Sequence, residues 1–99
     1  GSNWFEHWFG YFYEDTSGWA YHTDFGWIYL AVQNDESIWF WSENFSWLWV
    51  NESTRGKNLY WKEDEKSWVY FPLINPLNKI YFSYNNQQWI EQNLPTSNR

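Results

Sequence analysis

The chain has 99 residues, of which 43% are hydrophobic and 18% are charged, and it carries a formal net charge of −6. This length suits a single domain with one core, spanning residues 1–99, and is too short for two. No apolar run approaches the roughly 18 residues of a membrane-spanning helix, so membrane insertion is not expected. The negative charge repels phosphate backbones, which argues against nucleic acid as a partner. Because the chain has no cysteine, disulfide bonds and thiolate metal sites are excluded.

Aromatic side chains replace much of the aliphatic filling that a core normally contains. There are 11 Trp, 8 Tyr and 8 Phe, against 14 Leu, Ile and Val together. A buried Trp or Tyr removes far more surface from water than a Leu does. The composition therefore predicts a folded chain whose packing is dominated by aromatic rings.

These aromatic residues recur at a regular spacing along the chain. Four aromatic pairs are each separated by eight positions, and their first members lie 20 or 21 residues apart: Trp19 and Trp27, Trp39 and Trp47, Tyr60 and Trp68, Tyr81 and Trp89. In each unit two apolar runs flank a short polar stretch, which is the pattern of a β-hairpin. The period of about 20 residues predicts an all-β fold of antiparallel tandem hairpins, forming a small two-layer sandwich or barrel without helices.

The hairpins are predicted near residues 3–14, 19–32, 38–51, 58–71 and 79–91. Pro72 and Pro76 cannot continue a central strand, so residues 72–78 are predicted to be a connector. Residues 92–99 are predicted to form a tail.

The turn positions predict which side chains face each other across each hairpin. If residues 42–46 form the turn of the third hairpin, Trp41 lies opposite Trp47 and Trp39 lies opposite Trp49. The same reasoning predicts three further pairs: Tyr21 with Trp27, Trp19 with Tyr29, and Tyr60 with Tyr70. Cross-strand aromatic pairs of this kind contribute about 0.2–1 kcal/mol each.

Alternation along the strands sorts the side chains into two faces, and both faces are apolar. The predicted aromatic side carries Trp19, Tyr21, Trp27, Tyr29, Trp39, Trp41, Trp47, Trp49, Tyr60, Trp68 and Tyr70. The predicted aliphatic side carries Ala20, Ile28, Leu30, Ile38, Phe40, Leu48, Val50, Leu59, Trp61, Val69 and Phe71. Small and β-branched side chains interdigitate well, so the aliphatic side is expected to form the core. The aromatic side is expected to stay at least partly open.

An open aromatic surface indicates a noncatalytic interaction module. Sugar rings present weakly positive C–H faces that lie flat on an indole, so a glycan or another surface polymer is the expected ligand. The candidate binding residues are Trp39, Trp41, Trp47 and Trp49, together with Trp19, Tyr21, Trp27 and Tyr29. The alternative is a purely structural repeat, a spacer, cap or export tag whose aromatic ladder is buried. Self-association through an open edge strand or through the aromatic face is a third possibility.

Catalysis is not expected, because the sequence offers few groups for it. The two histidines, His7 and His22, have no metal-ligand spacing and are predicted to be solvated loop residues. Glu43, Glu52 and Glu63 recur near predicted turns and are expected to be exposed acids. No metal, cofactor or catalytic residue is therefore assigned.

Several blocks of sequence resemble a known kind of module. The runs are Trp8–Tyr13, Gly18–His22, Phe25–Tyr29, Trp39–Trp41, Trp47–Trp49 and Trp68–Phe71. Their order and composition are similar to the Trp- and Tyr-rich repeats near the C-terminal ends of large exported bacterial surface proteins. The resemblance covers residues 8–71 and implies an extracellular or cell-surface setting without catalysis. A looser similarity, in period and aromatic content alone, is to the choline-binding cell-wall repeats, whose glycine-rich closing loop is missing here.

Overall fold

The computed structural model of the chain describes residues 4–15 and 17–92 and contains ten β-strands. Their bounds are β1 Trp4–His7, β2 Gly10–Glu14, β3 Trp19–His22, β4 Gly26–Val32, β5 Ile38–Ser42, β6 Ser46–Val50, β7 Leu59–Lys62, β8 Ser67–Tyr70, β9 Ile80–Ser83 and β10 Gln88–Glu91. Each strand pairs antiparallel with its neighbours in sequence, in the order β1 to β10. The predicted all-β, antiparallel hairpin fold is confirmed. Most of the predicted tail, residues 93–99, lies outside the described residues.

The strands form one open sheet rather than the expected two-layer sandwich or barrel. The sheet nevertheless bends strongly over its aliphatic side. Phe25, in the turn before β4, has its ring centroid 5.2 Å from that of Tyr60 on β7. Three strand spacings of a flat sheet would span about 14 Å. The bend therefore lets the sheet cover its own core, as a second layer would do in a sandwich.

Turn residues provide much of the cover for this core. Phe9, Phe25 and Phe45 lie in the turns of the first three hairpins, and each is at most 3% exposed. Each is followed by a residue with positive φ, namely Gly10, Gly26 and Ser46. That left-handed residue closes a tight hairpin turn and directs the chain back into the sheet. The core consists of Phe9, Ala20, Phe25, Ile28, Ile38, Phe40, Phe45, Leu48, Val50, Tyr60, Val69, Phe71 and Tyr81.

The predicted pairing is confirmed in the second and third hairpins and is wrong in the fourth. Trp19 pairs with Tyr29, Tyr21 with Trp27, Trp39 with Trp49 and Trp41 with Trp47. Tyr60, however, pairs with Val69 and lies in the core, and Trp61 pairs with Trp68 on the aromatic side. The cause is turn length, because four residues separate Lys62 from Ser67 whereas three separate Ser42 from Ser46. One extra residue moves every side chain of β7 to the other face.

The expectation of a chain without helices is also wrong. A short helix α1, Glu52–Gly56, links β6 to β7, and a 3-10 turn, Pro76–Asn78, lies before β9. The Asn51 side chain accepts a hydrogen bond from the Thr54 N–H (2.8 Å), and the Thr54 hydroxyl oxygen accepts one from the Asn51 N–H (3.0 Å). This reciprocal capping satisfies donors at the helix start and explains why so short a helix forms. Neither helical segment of the described chain has the length and apolar character to cross a membrane.

Candidate functional site

One side of the bent sheet is covered by aromatic rings, and we call it the aromatic face. Paired residues of an antiparallel sheet lie on the same face, so the pairings define its cross-strand rows. The rows are Trp4, Tyr13, Tyr21 and Trp27; Trp19, Tyr29, Trp41 and Trp47; Ala31, Trp39, Trp49, Trp61 and Trp68; and Tyr70, Phe82 and Trp89. All eight residues that the sequence suggested as ligand-binding lie on this face.

The aromatic face is open to solvent over much of its length, as the sequence predicted. Trp27 is 55% exposed, Trp47 is 38% exposed and Trp89 is 57% exposed. Trp39, Trp41 and Trp49 are half-buried among their neighbours. The central part of the core side, by contrast, is buried, although Phe5 and Val32 on that side are exposed. The aliphatic side is therefore the core, and the aromatic face is the surface available for contact.

Neighbouring rings on the aromatic face meet edge to face. Trp19 and Trp41 have centroids 6.0 Å apart at an angle of 83°, and Trp61 and Trp68 are 5.6 Å apart at 79°. Tyr21 and Trp27 show the same arrangement. Such contacts are favourable for ring quadrupoles and restrict how the side chains reorient. A ligand would therefore meet rings that are already ordered, which lowers the entropic cost of binding.

Two depressions flank Trp39 on the aromatic face. The first has a volume of about 330 Å³ and is lined by Ala31, Gln33, Trp39, Trp47 and Glu63. The second has a volume of about 470 Å³ and is lined by Gln33, Asn34, Asp35, Ser37, Trp39 and Trp49. Both depressions are shallow and open to solvent.

Two carboxylates lie at the rims of these depressions. Asp35 accepts hydrogen bonds from the Ser37 hydroxyl (2.6 Å) and backbone N–H (3.0 Å), which lower the pKa of its carboxyl group. Glu63 pairs with Lys66 and accepts a hydrogen bond from the Trp61 indole N–H (3.0 Å), and both contacts lower its pKa. Both groups are therefore negatively charged acceptors at neutral pH. Asp35 gives the rim of the second depression an anionic character, whereas Lys66 offsets the charge of Glu63 at the first.

His22 is not the solvated loop residue that the sequence suggested. It is fully buried on the core side, where its Nε2 donates to the Phe9 carbonyl (2.7 Å) and its Nδ1 accepts from the Asp24 N–H (3.0 Å). Burial lowers its pKa from 6.5 to about 4. Gly10 is required beside it, because φ is +121° there and a Cβ would lie 2.7 Å from His22 Nε2. His22 is thus a neutral structural residue and not a ligand.

Arg55 of α1 is a second polar residue whose role the sequence did not indicate. Its Nη1 donates to the Tyr60 hydroxyl (2.6 Å), its Nη2 to Asp24 (3.2 Å) and its Nε to the Trp8 carbonyl (3.3 Å). Burial raises the pKa of Tyr60, so its hydroxyl stays protonated. Since these partners come from three separate parts of the chain, Arg55 is a structural tie, and each of its three nitrogens already donates a hydrogen bond.

The acidic run Glu63–Glu65 is divided among different partners. Glu63 pairs with Lys66, Asp64 pairs with Lys62 (2.7 Å), and Glu65 accepts from the hydroxyls of Tyr81 (3.1 Å) and Ser83 (2.7 Å). Within residues 4–15 and 17–92, no three His, Asp or Glu side chains are grouped as metal ligands would be. Of the other acids considered from the sequence, Glu43 and Glu52 are exposed.

Comparison with known proteins returns no relatives: the chain matches no family model, and no curated protein and no solved structure is significantly similar to it. The resemblance to Trp- and Tyr-rich repeats of exported bacterial proteins therefore stays a prediction. The main features of the site are its ordered rings, the carboxylate of Asp35 and its access to solvent.

Proposed function

We propose that this chain is a noncatalytic interaction module of an extracellular or cell-surface protein, and that its aromatic face binds a glycan. The observation that supports the proposal is the set of cross-strand aromatic rows, which follow one another from β1 to β10 along one face of the sheet. Exposed tryptophans recur along these rows, at Trp27, Trp47, Trp68 and Trp89. An exposed apolar surface of this extent is typical of an interaction site.

The chemistry of the face favours sugar over other partners. Indole and phenol rings offer electron-rich faces for sugar C–H groups, and their polar edges tolerate contact with water. The net charge of −6 disfavours nucleic acid and anionic membranes. Polar side chains at the rim, such as Gln33 and Asp35, can accept hydrogen bonds from sugar hydroxyls. A polyhydroxylated, ring-containing polymer fits both features.

The alternative is a structural repeat in which another surface covers the aromatic face. The half-buried Trp39, Trp41 and Trp49 favour it, since edge-to-face packing stabilises a sheet without any ligand. It requires a partner surface over Trp27 and Trp47 in solution. Iodide quenching of tryptophan fluorescence distinguishes the two: an open face gives strong quenching in the native state, and a covered face gives little.

A fluorescence titration tests the proposed function. The chain is titrated with hydroxyethyl cellulose, galactomannan, laminarin and soluble cell-wall fragments while the tryptophan emission is followed. We expect a saturable change with at least one polymer, and a weaker response from Trp47→Ala than from the wild type. Leu73→Ala, at an exposed position outside the strands, is the control. A flat response to the whole panel, together with resistance to iodide, would favour the structural repeat.

A further inference from the structure

The aromatic face contains a gap at Ala31. On β4, residues at alternate positions lie on this face, so Trp27, Tyr29 and Ala31 form one series. Ala31 pairs with Trp39, and that row continues through Trp49 to Trp61. A methyl group therefore occupies a place where the neighbouring positions carry large rings. The depression of about 330 Å³ lies at this gap and is lined in part by Ala31.

We propose that the gap at Ala31 and the face of Trp39 form a subsite for one uncharged pyranose unit of a polysaccharide. This inference rests on the proposed function and specifies where on the aromatic face the sugar binds and which sugars are accepted. The subsite has room for a ring because Ala31 leaves the space that a Tyr or Trp would fill. The second depression, beyond Trp39, would take the adjoining unit of the same chain.

The polar side chains around the gap suit a neutral ring. Gln33 borders both depressions, and its amide is held beside the gap because its Nε2 donates to the Ala31 carbonyl (3.1 Å). Glu63 borders the first depression and Asp35 borders the second. Carboxylates and amides accept hydrogen bonds from hydroxyl groups with favourable geometry.

The same residues disfavour acidic sugars. The described residues that line the two depressions include no Lys or Arg, whereas both rims carry a carboxylate. A uronate or sulfate group would meet like charge at Asp35, whereas Lys66 offsets the charge of Glu63. The carboxylate of Asp35 therefore disfavours acidic units, and the aromatic ring of Trp39 favours a flat C–H face.

Filling the gap tests the subsite directly. Ala31→Trp places a ring opposite Trp39, an arrangement that the sheet already accommodates at Trp49 and Trp61. We expect this variant to lose about tenfold or more in affinity for the neutral polymers of the titration panel. Leu73→Ala, at an exposed position outside the strands, is the control and should bind as the wild type does. Polygalacturonate, the acidic probe, should not bind.

A second variant keeps the test decisive if Ala31→Trp fails to fold, which its far-ultraviolet circular dichroism would show. Gln33 is exposed, and Gln33→Ala should weaken binding of the neutral polymers severalfold without affecting the fold. If Ala31→Trp and Gln33→Ala bind neutral polymers as tightly as the wild type does, the subsite is refuted and the glycan-binding face stands. The same conclusion follows if polygalacturonate binds the wild type as tightly as the neutral polymers do. If no polymer binds the wild type, the proposed function fails as well.

Discussion

His22 makes the stability of this fold sensitive to acid. Burial removes the ring from water, which keeps it neutral and lowers its pKa to about 4, and the nearby charge of Arg55 acts in the same direction. The unfolded chain has the ordinary value of 6.5, and therefore takes up this proton first as the pH falls. The stabilisation is fully present above pH 6.5 and is lost progressively between pH 6.5 and 4. The total loss amounts to about 3 kcal/mol.

Urea unfolding at pH 7 and pH 4.5 measures this effect. His22→Gln retains an acceptor and a donor but does not titrate, so it should lose about 2 kcal/mol less than the wild type between these two pH values. Comparing the two proteins cancels the contribution of the carboxylates to the loss of stability, because the carboxylates titrate in both. An equal loss in the two proteins would show that His22 does not stay neutral in the fold.

The burial of His22 was within reach of the sequence, whereas that of Tyr60 was not. His22 alternates with Tyr21 and shares the face of Ala20, so strand parity alone places it on the core side. Its closeness to a turn led to the wrong expectation of a solvated ring. The burial of Tyr60 depends on the length of the turn that follows β7. The acidic run from Glu63 does not reveal that length.

At the scale of elements, α1 is fixed to the sheet through Arg55. The guanidinium joins the helix to Asp24, to Tyr60 and to the carbonyl of Trp8. It therefore holds together segments that lie far apart along the chain. Arg55→Met should lower the free energy of unfolding by about 2 kcal/mol, the usual cost of losing hydrogen bonds to a partly buried charge. Chemical denaturation measures the change. Lys57→Met, at an exposed position just beyond the helix, should have almost no effect, and equal losses in both variants would contradict the role of Arg55.

The pairing register of a hairpin was predictable from the sequence where its turn has three residues. The second and third hairpins have three-residue turns that end before Gly26 and Ser46, and their aromatic pairs follow the predicted register. The fourth turn has four residues and ends at Lys66, which has positive φ, so the register of β7 changes by one. Helix α1 was not predicted because its residues, Glu52–Gly56, are polar and show no hydrophobic periodicity.

At the scale of the whole molecule, the two edges of the sheet are alike. The edge strands β1 and β10 each have one neighbouring strand in the described sheet. Phe5 and Ile90 lie on the core side, and Trp4 and Trp89 lie on the aromatic face. Pairing of β10 with β1 of a second copy would therefore continue both faces without a break. Neither strand contains a proline or lysine that would block such pairing.

Self-association is accordingly expected at high concentration. Sedimentation velocity should show a mass that rises with concentration, and Phe5→Lys should abolish the rise by placing a charge on the edge strand. Lys57→Met serves again as the control and should associate as the wild type does. A monomer at every concentration would contradict edge pairing.

The architecture differed from the prediction because the sequence did not show what covers the core. Two apolar faces suggested that a second layer must lie against the aliphatic side. In the structure the turn residues Phe9, Phe25 and Phe45 supply that cover, and their rings reach the core because the sheet bends. The choice of buried face was nevertheless correct, because side-chain size and branching already distinguished the two sides.

Tryptophan indole signals in ¹H–¹⁵N NMR spectra report on whether the aromatic face is the binding surface. The chain has 11 Trp, and each contributes one indole N–H signal that single Trp→Phe variants can assign. Addition of a neutral polysaccharide should shift the signals of Trp39, Trp47 and Trp49 most, and should leave that of Trp8 unchanged because Trp8 is not on this face. Shifts largest at Trp8, or no shifts at saturating polymer, would contradict the account.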